Sequence, residues 1–451
     1  MAKYRKYAEY KDSGAEWLGN IPKHWSVEYS KWLFAERNNK ASVGDEMLTA
    51  SQKYGVIPQK MFMELEQQKV VQVQLGHEIL KRAEVNDFVI SMRSFQGGIE
   101  YCGYKGAVSS AYVPLKPRQD LSISYYKYLF KSIPYIQALQ TTTNLVRDGQ
   151  ALRFANFIQV RIPLLPYSEA EKIGQFLDHE TAKIDRLIEK QQQLIELLKE
   201  KRQAVISHAV TKGLNPNVPM KDSGVEWLGE VPEHWEIKQN KYLLEFVTSG
   251  SRGWAQYYAD TGSLFFRIAN LTRDTIEPKL ESIQYVEPPK GSEGERSKIK
   301  INDLLISITA DLGSVCVADA SIKDGYVSQH VALCRPIKIC VSRWLAYFIL
   351  SDCAKEQFLG SGYGGTKIQL SLEDIKELII AVPPRNEQLQ ISEYIDEKLT
   401  QYEHLICQAE KLIGTLQERR TALISAAVTG KIDIRNWQAP SVTEAHTELS
   451  A

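Results

Sequence analysis

The sequence predicts an α+β protein made twice from one plan. Two domains of mixed α/β structure are separated by two long antiparallel helices that pair as a coiled coil, with an internal pseudo-two-fold repeat. Three observations predict this: two ordered pairs of near-identical segments about half a chain apart, strand-like runs between them, and two long stretches of helical apolar spacing that share one register.

The repeat comes first because it decides the architecture. Lys11–Phe34 (KDSGAEWLGNIPKHWSVEYSKWLF) returns 210 residues later as Lys221–Leu244 (KDSGVEWLGEVPEHWEIKQNKYLL), identical at 13 of 24 positions. Leu198–Thr211 (LKEKRQAVISHAVT) returns at an offset of 218 as Leu416–Thr429 (LQERRTALISAAVT), identical at 9 of 14. Between these anchors the halves diverge, and only an echo such as NDFVIS (86–91) against NDLLIS (302–307) survives.

The divergent segments carry short apolar and aromatic runs (DFVISM, AYVPL, SLFFRI, DLLISIT) broken by Gly, Pro and Asn, which is strand-and-turn patterning. Each ends in a Pro-rich turn, IPLLP at 162–166 and AVPP at 381–384, after which the period becomes helical. Ile173, Leu177, Ile184, Ile188, Ile195 and Leu198 recur near heptad spacing, and Ile391, Ile395, Ile406, Ile413 and Leu416 do the same. Each helix is predicted over about 40 residues, roughly 60 Å at 1.5 Å per residue. The predicted order is an arm and first domain over 1–167, a long helix over 168–212, a second arm and domain over 213–384, a second long helix over 385–434, and a flexible tail over 435–451.

Composition narrows the function classes. At 43% hydrophobic and 10% aromatic residues the chain is globular, and it has no apolar run near the roughly 20 residues that cross a bilayer. Lys3, Arg5 and Lys6 precede no apolar stretch, so a secretory signal is not read there and a cytoplasmic location is expected. Six cysteines without a C-x-x-C pair or a neighbouring His argue against structural zinc and a disulfide framework. Lys plus Arg equals Asp plus Glu at 55 each, so net charge advertises no polyanionic partner.

Catalytic motifs are not found. GSGYGGTK (360–367) departs from a phosphate-binding loop because Thr366 precedes Lys367, and G-x-S-x-G, H-E-x-x-H and a glycine fingerprint after a strand do not occur. The double prolines at 288–289 and 383–384 lack the Asn/Asp-Pro-Pro-aromatic turn of base methylation. His24 and His234, flanked by Pro and Trp without paired acids, read as packing or capping residues. The arm residues Trp17, Leu18 and Trp25, with Trp227, Leu228 and Trp235 in the second copy, admit two readings: core packing, or anchors for a partner, since aromatics dominate interface energetics.

The arm WLG-x-(I/V)-P-x-HW, the Pro-rich turn leading into a long helix, and the helix ending (V/L)IS-x-AVT occur twice and in order over roughly residues 10–435. Together they resemble the specificity (S) subunit of type I restriction-modification enzymes. That resemblance implies two target-recognition domains, each reading one half of a bipartite, asymmetric site in double-stranded DNA. It also implies two modification subunits that methylate adenine with S-adenosylmethionine, and two restriction subunits that use ATP and Mg, so this phage-defence chain would itself bind no cofactor or metal and perform no catalysis. Two other readings compete: a self-sufficient restriction or modification enzyme, and a helical scaffold that does not bind DNA.

Base reading calls for Arg, Asn, Gln, Ser or Thr on loops that Gly lets approach closely. In the first domain that selects Ser51, Gln52, Lys53 and Tyr54, then Arg93, Ser94 and Gln96. In the second it selects Arg252, Trp254, Arg267, Asn270 and Arg273, with Tyr363 and Lys367 in the Gly-rich loop. An ordinary solvated loop side chain is the competing reading for each. Residues 35–165 carry 16 Lys/Arg and 11 Asp/Glu, a balance of +5, whereas 245–384 carry 15 and 17, a balance of −2. Phosphate attraction is therefore expected mainly from the first domain or from partner subunits.

Overall fold

A computed structural model describes residues 4–68, 79–143, 152–288, 291–360 and 369–439. The chain forms two compact units, and they are not consecutive halves: one comprises residues 1–191 and 411–451, the other 192–410. Each long helix, Tyr167–Lys212 and Arg385–Val428, gives its first part to one unit and its second part to the other.

In the first unit the arm folds as a hairpin of Tyr10–Asp12 on Asn20–Pro22, followed by Ser26–Tyr29, which pairs antiparallel with Arg161–Leu164 just before the long helix. The domain is built on a four-stranded antiparallel sheet in the order Phe34–Glu36, Val113–Pro117, Phe88–Ile90, Glu100–Tyr101. Its core is aromatic: Phe34 meets Phe88, Tyr126, Phe130 and Phe157, mostly edge to face at 5.3–6.0 Å, the arrangement ring quadrupoles favour.

The second unit repeats the plan although little sequence survives. Met220–Asp222 pairs with Glu230–Pro232, and Glu236–Gln239 with Ile379–Val382. The four-stranded sheet runs Leu244–Ser249, Val331–Pro336, Leu304–Ser307, Val315–Val317, the same order as in the first unit. The NDFVIS/NDLLIS echo has a physical cause. Asn86 and Asn302 both hold a positive φ (72° and 70°), a conformation Asn tolerates better than most residues, and turn the chain into the central strand. Asp87 and Asp303, each 1% exposed, follow and grip an arginine through both oxygens. The arginine comes from a different strand in each copy, Arg37 beside the first strand and Arg335 on the second, so the buried charge is compensated by separate solutions.

In the first unit the start of one long helix lies antiparallel to the end of the other. Ile173, Phe176, Leu177 and Ile184 share a core with Leu416, Leu423 and Ala427, and Arg420 forks onto Asp185 at 2.8 and 3.2 Å. Ile206, Ala209 and Val210 share a core with Ile391, Ile395 and Leu399 in the second unit. The helices are 46 and 44 residues long; the first begins one residue before its expected bounds of 168–212, and the second ends at Val428, short of the expected 434.

The arms lock these helix ends. Glu169, in the first turn of one helix, accepts from the Trp25 indole at 3.0 Å, the Tyr7 hydroxyl at 2.7 Å and His24 at 2.7 Å. A carboxylate at a helix N-terminus also complements the macrodipole. The benzo edge of Trp25 meets Gly430, which closes the other helix with φ 69°; a Cβ there would lie 2.4 Å from Pro22 and 3.2 Å from the indole, so only glycine fits. The second unit reproduces this: His234 and Trp235 bind Glu387 at 2.7 and 2.9 Å, and a Cβ on Gly213 (φ 76°) would lie 3.2 Å from the Trp235 indole. Each arm thus clamps the beginning of one helix to the end of the other.

Of the tail predicted as flexible over 435–451, the start is packed, and 440–451 lie outside the described residues. Ile432 and Ile434 are buried, Asp433 donates its backbone N–H to Arg5, and Trp437 packs on Phe176 and His179. No helix of the described residues is long and apolar enough to cross a membrane.

Candidate nucleic-acid interface

In the first domain the candidate loops form one surface. Ser51 to Gly55 is the tip of the hairpin Leu48–Ser51/Gly55–Pro58, and the Gln52 amide donates to the Arg93 carbonyl at 3.4 Å. Gly97 makes this approach possible, because a Cβ there would lie 2.4 Å from the Gln52 amide nitrogen. Gln52, Arg93 and Gln96 are exposed on this surface. Lys53 and Tyr54 point to Glu66, at 3.1 and 2.9 Å, and these contacts, the Tyr54 hydroxyl bond first, hold the Glu66 carboxyl below its usual range. Ser94 departs from expectation: it is wholly buried, and its hydroxyl accepts from the Ser91 backbone at 2.9 Å, so it shapes the loop and cannot reach a base.

Two of the second domain's expected readers are likewise structural. Trp254 is 3% exposed and stacks on Phe265 at 5.7 Å and 17°, filling a small aromatic core with Tyr326. Asn270 is 0% exposed; its carbonyl accepts from the Arg267 backbone and its amide donates to the carbonyls of Lys279 and Ser282, closing the turn. Arg273 is paired with Asp311 at 2.5 Å and with the Leu312 carbonyl. Arg252 is exposed and Arg267 half-buried, whereas Tyr363 and Lys367 lie outside the described residues.

What joins these loops is a turn that sequence reading passed over, Ser328 to His330. Ser328 donates its backbone N–H to Phe266, beside Arg267, and its carbonyl accepts from Gly250 at 3.3 Å. Gly250 rests on the turn so closely that a Cβ would lie 1.9 Å from the Val327 carbonyl. The His330 carbonyl accepts from Ile308, and Thr309 bridges to Gln369. The available signal was position: the tripeptide immediately precedes the strand that pairs with NDLLIS.

The arm residues also sort. Trp25 and Trp235 are 0% exposed and Leu18 and Leu228 3%, so these four are taken up by the clamp and the arm core and offer no surface to a partner. Trp17 and Trp227 are half-buried, the former donating to the Arg161 carbonyl at 3.0 Å. The most exposed aromatic residues of the arms are Trp32, 63% exposed, and its repeat equivalent Tyr242, 62% exposed, each with the preceding lysine over its ring. That both copies keep a large exposed aromatic at one position was visible in the repeat alignment.

Five of the six cysteines are buried, and burial raises the thiols of Cys102 and Cys353 to about 11 and of Cys334 and Cys340 to about 12, far from a reactive thiolate. Among the described residues no group of three or more His, Cys, Asp or Glu is placed to hold a metal.

Residues 289–405 match the family model of the type I restriction modification DNA specificity domain. Sequence and fold align this chain with the specificity (S) subunits of type I restriction-modification systems. It is 20% identical over 361 residues to the type I restriction enzyme EcoBI specificity subunit of Escherichia coli, covering 78% of this chain and 75% of that one. To the EcoKI specificity subunit of Escherichia coli strain K12 it is 25% identical over 210 residues, 45% of this chain and 44% of the other. The fold matches the crystal structure of the HsdS subunit from Thermoanaerobacter tengcongensis with a TM-score of 0.54 at 14% identity, over 91% and 98% of the two chains. A chain from a study of complex assembly and conformational transition in the type I restriction-modification system matches with a TM-score of 0.68 at 14% identity, over 90% and 98%.

Proposed function

We propose that this chain is the DNA-reading subunit of a cytoplasmic type I restriction-modification complex and carries out no catalytic step itself. Each domain reads one half of a bipartite, asymmetric site, and the long helices set the unread spacer. The repeated surfaces recruit two methyltransferase subunits that bring S-adenosylmethionine, and two ATP- and Mg-dependent restriction subunits complete the assembly. The observation that carries this reading is the pairing of one scaffold, repeated down to the Glu169 and Glu387 clamps, with two unrelated sets of surface loops. Identical scaffolds suit identical partners, and unlike loops suit unlike half-sites.

Replacing Arg93 with Ala should weaken discrimination in one half-site only, and replacing Arg267 with Ala in the other, by about 1–3 kcal/mol if each arginine makes a bidentate guanine contact. Binding measured against half-site variants distinguishes this from an equal loss on unrelated sequences, which marks a phosphate contact. With Trp25 and Trp235 buried, Trp32 and Tyr242 become the arm residues offered to the partner. Native mass spectrometry of the complex should count two methyltransferase copies on the parent chain and one on either Trp32→Ala or Tyr242→Ala. A single copy on the unaltered chain contradicts the reading.

A further inference from the structure

The turn that gathers the second domain's loops also carries a chain of side-chain hydrogen bonds. The Gln329 amide nitrogen lies 2.8 Å from His330 Nε2, and His330 Nδ1 lies 3.3 Å from the Thr309 hydroxyl. An amide N–H donates, so Nε2 accepts, and the neutral ring carries its proton on Nδ1, directed at Thr309. Gln329 is half-buried and His330 exposed, on a turn whose backbone is fixed by Phe266, Gly250 and Ile308.

One bond to His330 leaves the amide its other N–H and its carbonyl oxygen. That donor and acceptor, side by side on a planar group, match N7 and the N6 amino group of adenine in the major groove. A free glutamine loses considerable rotamer freedom on binding, and a side chain already held by a neighbour loses less.

We infer that Gln329 reads an adenine in the half-site faced by the second domain, with His330 and Thr309 as positioning residues that hold its amide in the reading orientation. This rests on the DNA-reading role proposed above. The strand registers Ile90↔Val113 and Ile306↔Ala332 place Ser110 and Ala111 at the corresponding turn of the first domain. Neither has an amide, so the device serves one half-site.

Selection of the full-length chain against a randomised duplex library tests it. The parent chain should return a bipartite motif, and Gln329→Ala should lose preference for adenine at one position of one half-site by about tenfold to a hundredfold, with the other positions kept. His330→Ala should lower preference at that same position by less, and His330→Asn, which keeps a side-chain acceptor, should restore part of it. If the parent chain returns no motif, the DNA-reading role itself fails. A parent motif that Gln329→Ala leaves unchanged at every position, or weakens evenly across the half-site, overturns this inference alone.

Discussion

A chain given one extra heptad after Gln191 and another after Ala409 should no longer recognise its parental site. The two positions are equivalent in the repeat and fall at, or one residue from, the boundaries between the compact units, so neither domain is interrupted. A whole heptad keeps the apolar stripe in register. Each helix lengthens by about 10 Å, seven residues at 1.5 Å. Against a rise of about 3.4 Å that is roughly three base pairs. Three pairs also rotate the second half-site by nearly a third of a turn at about 10.5 pairs per turn, so the longer protein should prefer a longer spacer or fail to bind. Selection from a library of randomised spacer lengths reads the answer. Recovery of the parental spacing at undiminished affinity would mean that the helices only connect.

Trp25→Ala should destabilise the first unit by about 3–5 kcal/mol, the range for removing a buried aromatic side chain. The indole is fully enclosed between Glu169 and Gly430, and its loss removes both packing and one of three donors on a buried carboxylate. Trp25→Phe keeps most of the volume and should cost about 1.5–3 kcal/mol, the contribution of a hydrogen bond to a charged group. Hydrogen exchange followed by mass spectrometry should show faster exchange in 4–34, 161–191 and 411–437 and little change in 192–410. Trp235→Ala should give the mirror result. Equal loss of protection in both units after either substitution would refute separate clamps.

The scaffold was readable because the repeat is a comparison the chain makes with itself. The offset of 218 places Glu169 on Glu387 and also Asp178 on Asp396, which bind the hydroxyls of Tyr128 and Tyr347 in the two domains. Those contacts were not readable, because the tyrosines lie in segments that no longer align and meet the helix only in three dimensions. The reading surface was harder. Ser94, Trp254 and Asn270 have the residue types expected of base readers, and each spends them on its own loop. A clue was present for Asn270: RFAN at 153–156 repeats the pattern of RIAN at 267–270, and in both the asparagine carbonyl accepts from the arginine backbone three residues earlier. A motif that closes its own turn has less left for a ligand. Gln329 carried no such signal: its nearest glycine, Gly325, is four residues away, and no arginine, asparagine or second glutamine stands beside it in the turn.

The order in which the chain leaves the ribosome sets a different order of completion. The second unit is continuous, 192–410, whereas the first needs residues 411–437 to cover Ile173, Phe176, Leu177 and Ile184 and to deliver Gly430 to Trp25. The 219 residues of 192–410 separate the two contributions, and at 5–20 residues per second the gap is on the order of ten to forty seconds. Through that interval the earliest-made domain holds an open apolar seam while the later one can already close. The domain synthesised first is therefore finished last, and it is the one exposed to chaperones and proteases while translation continues.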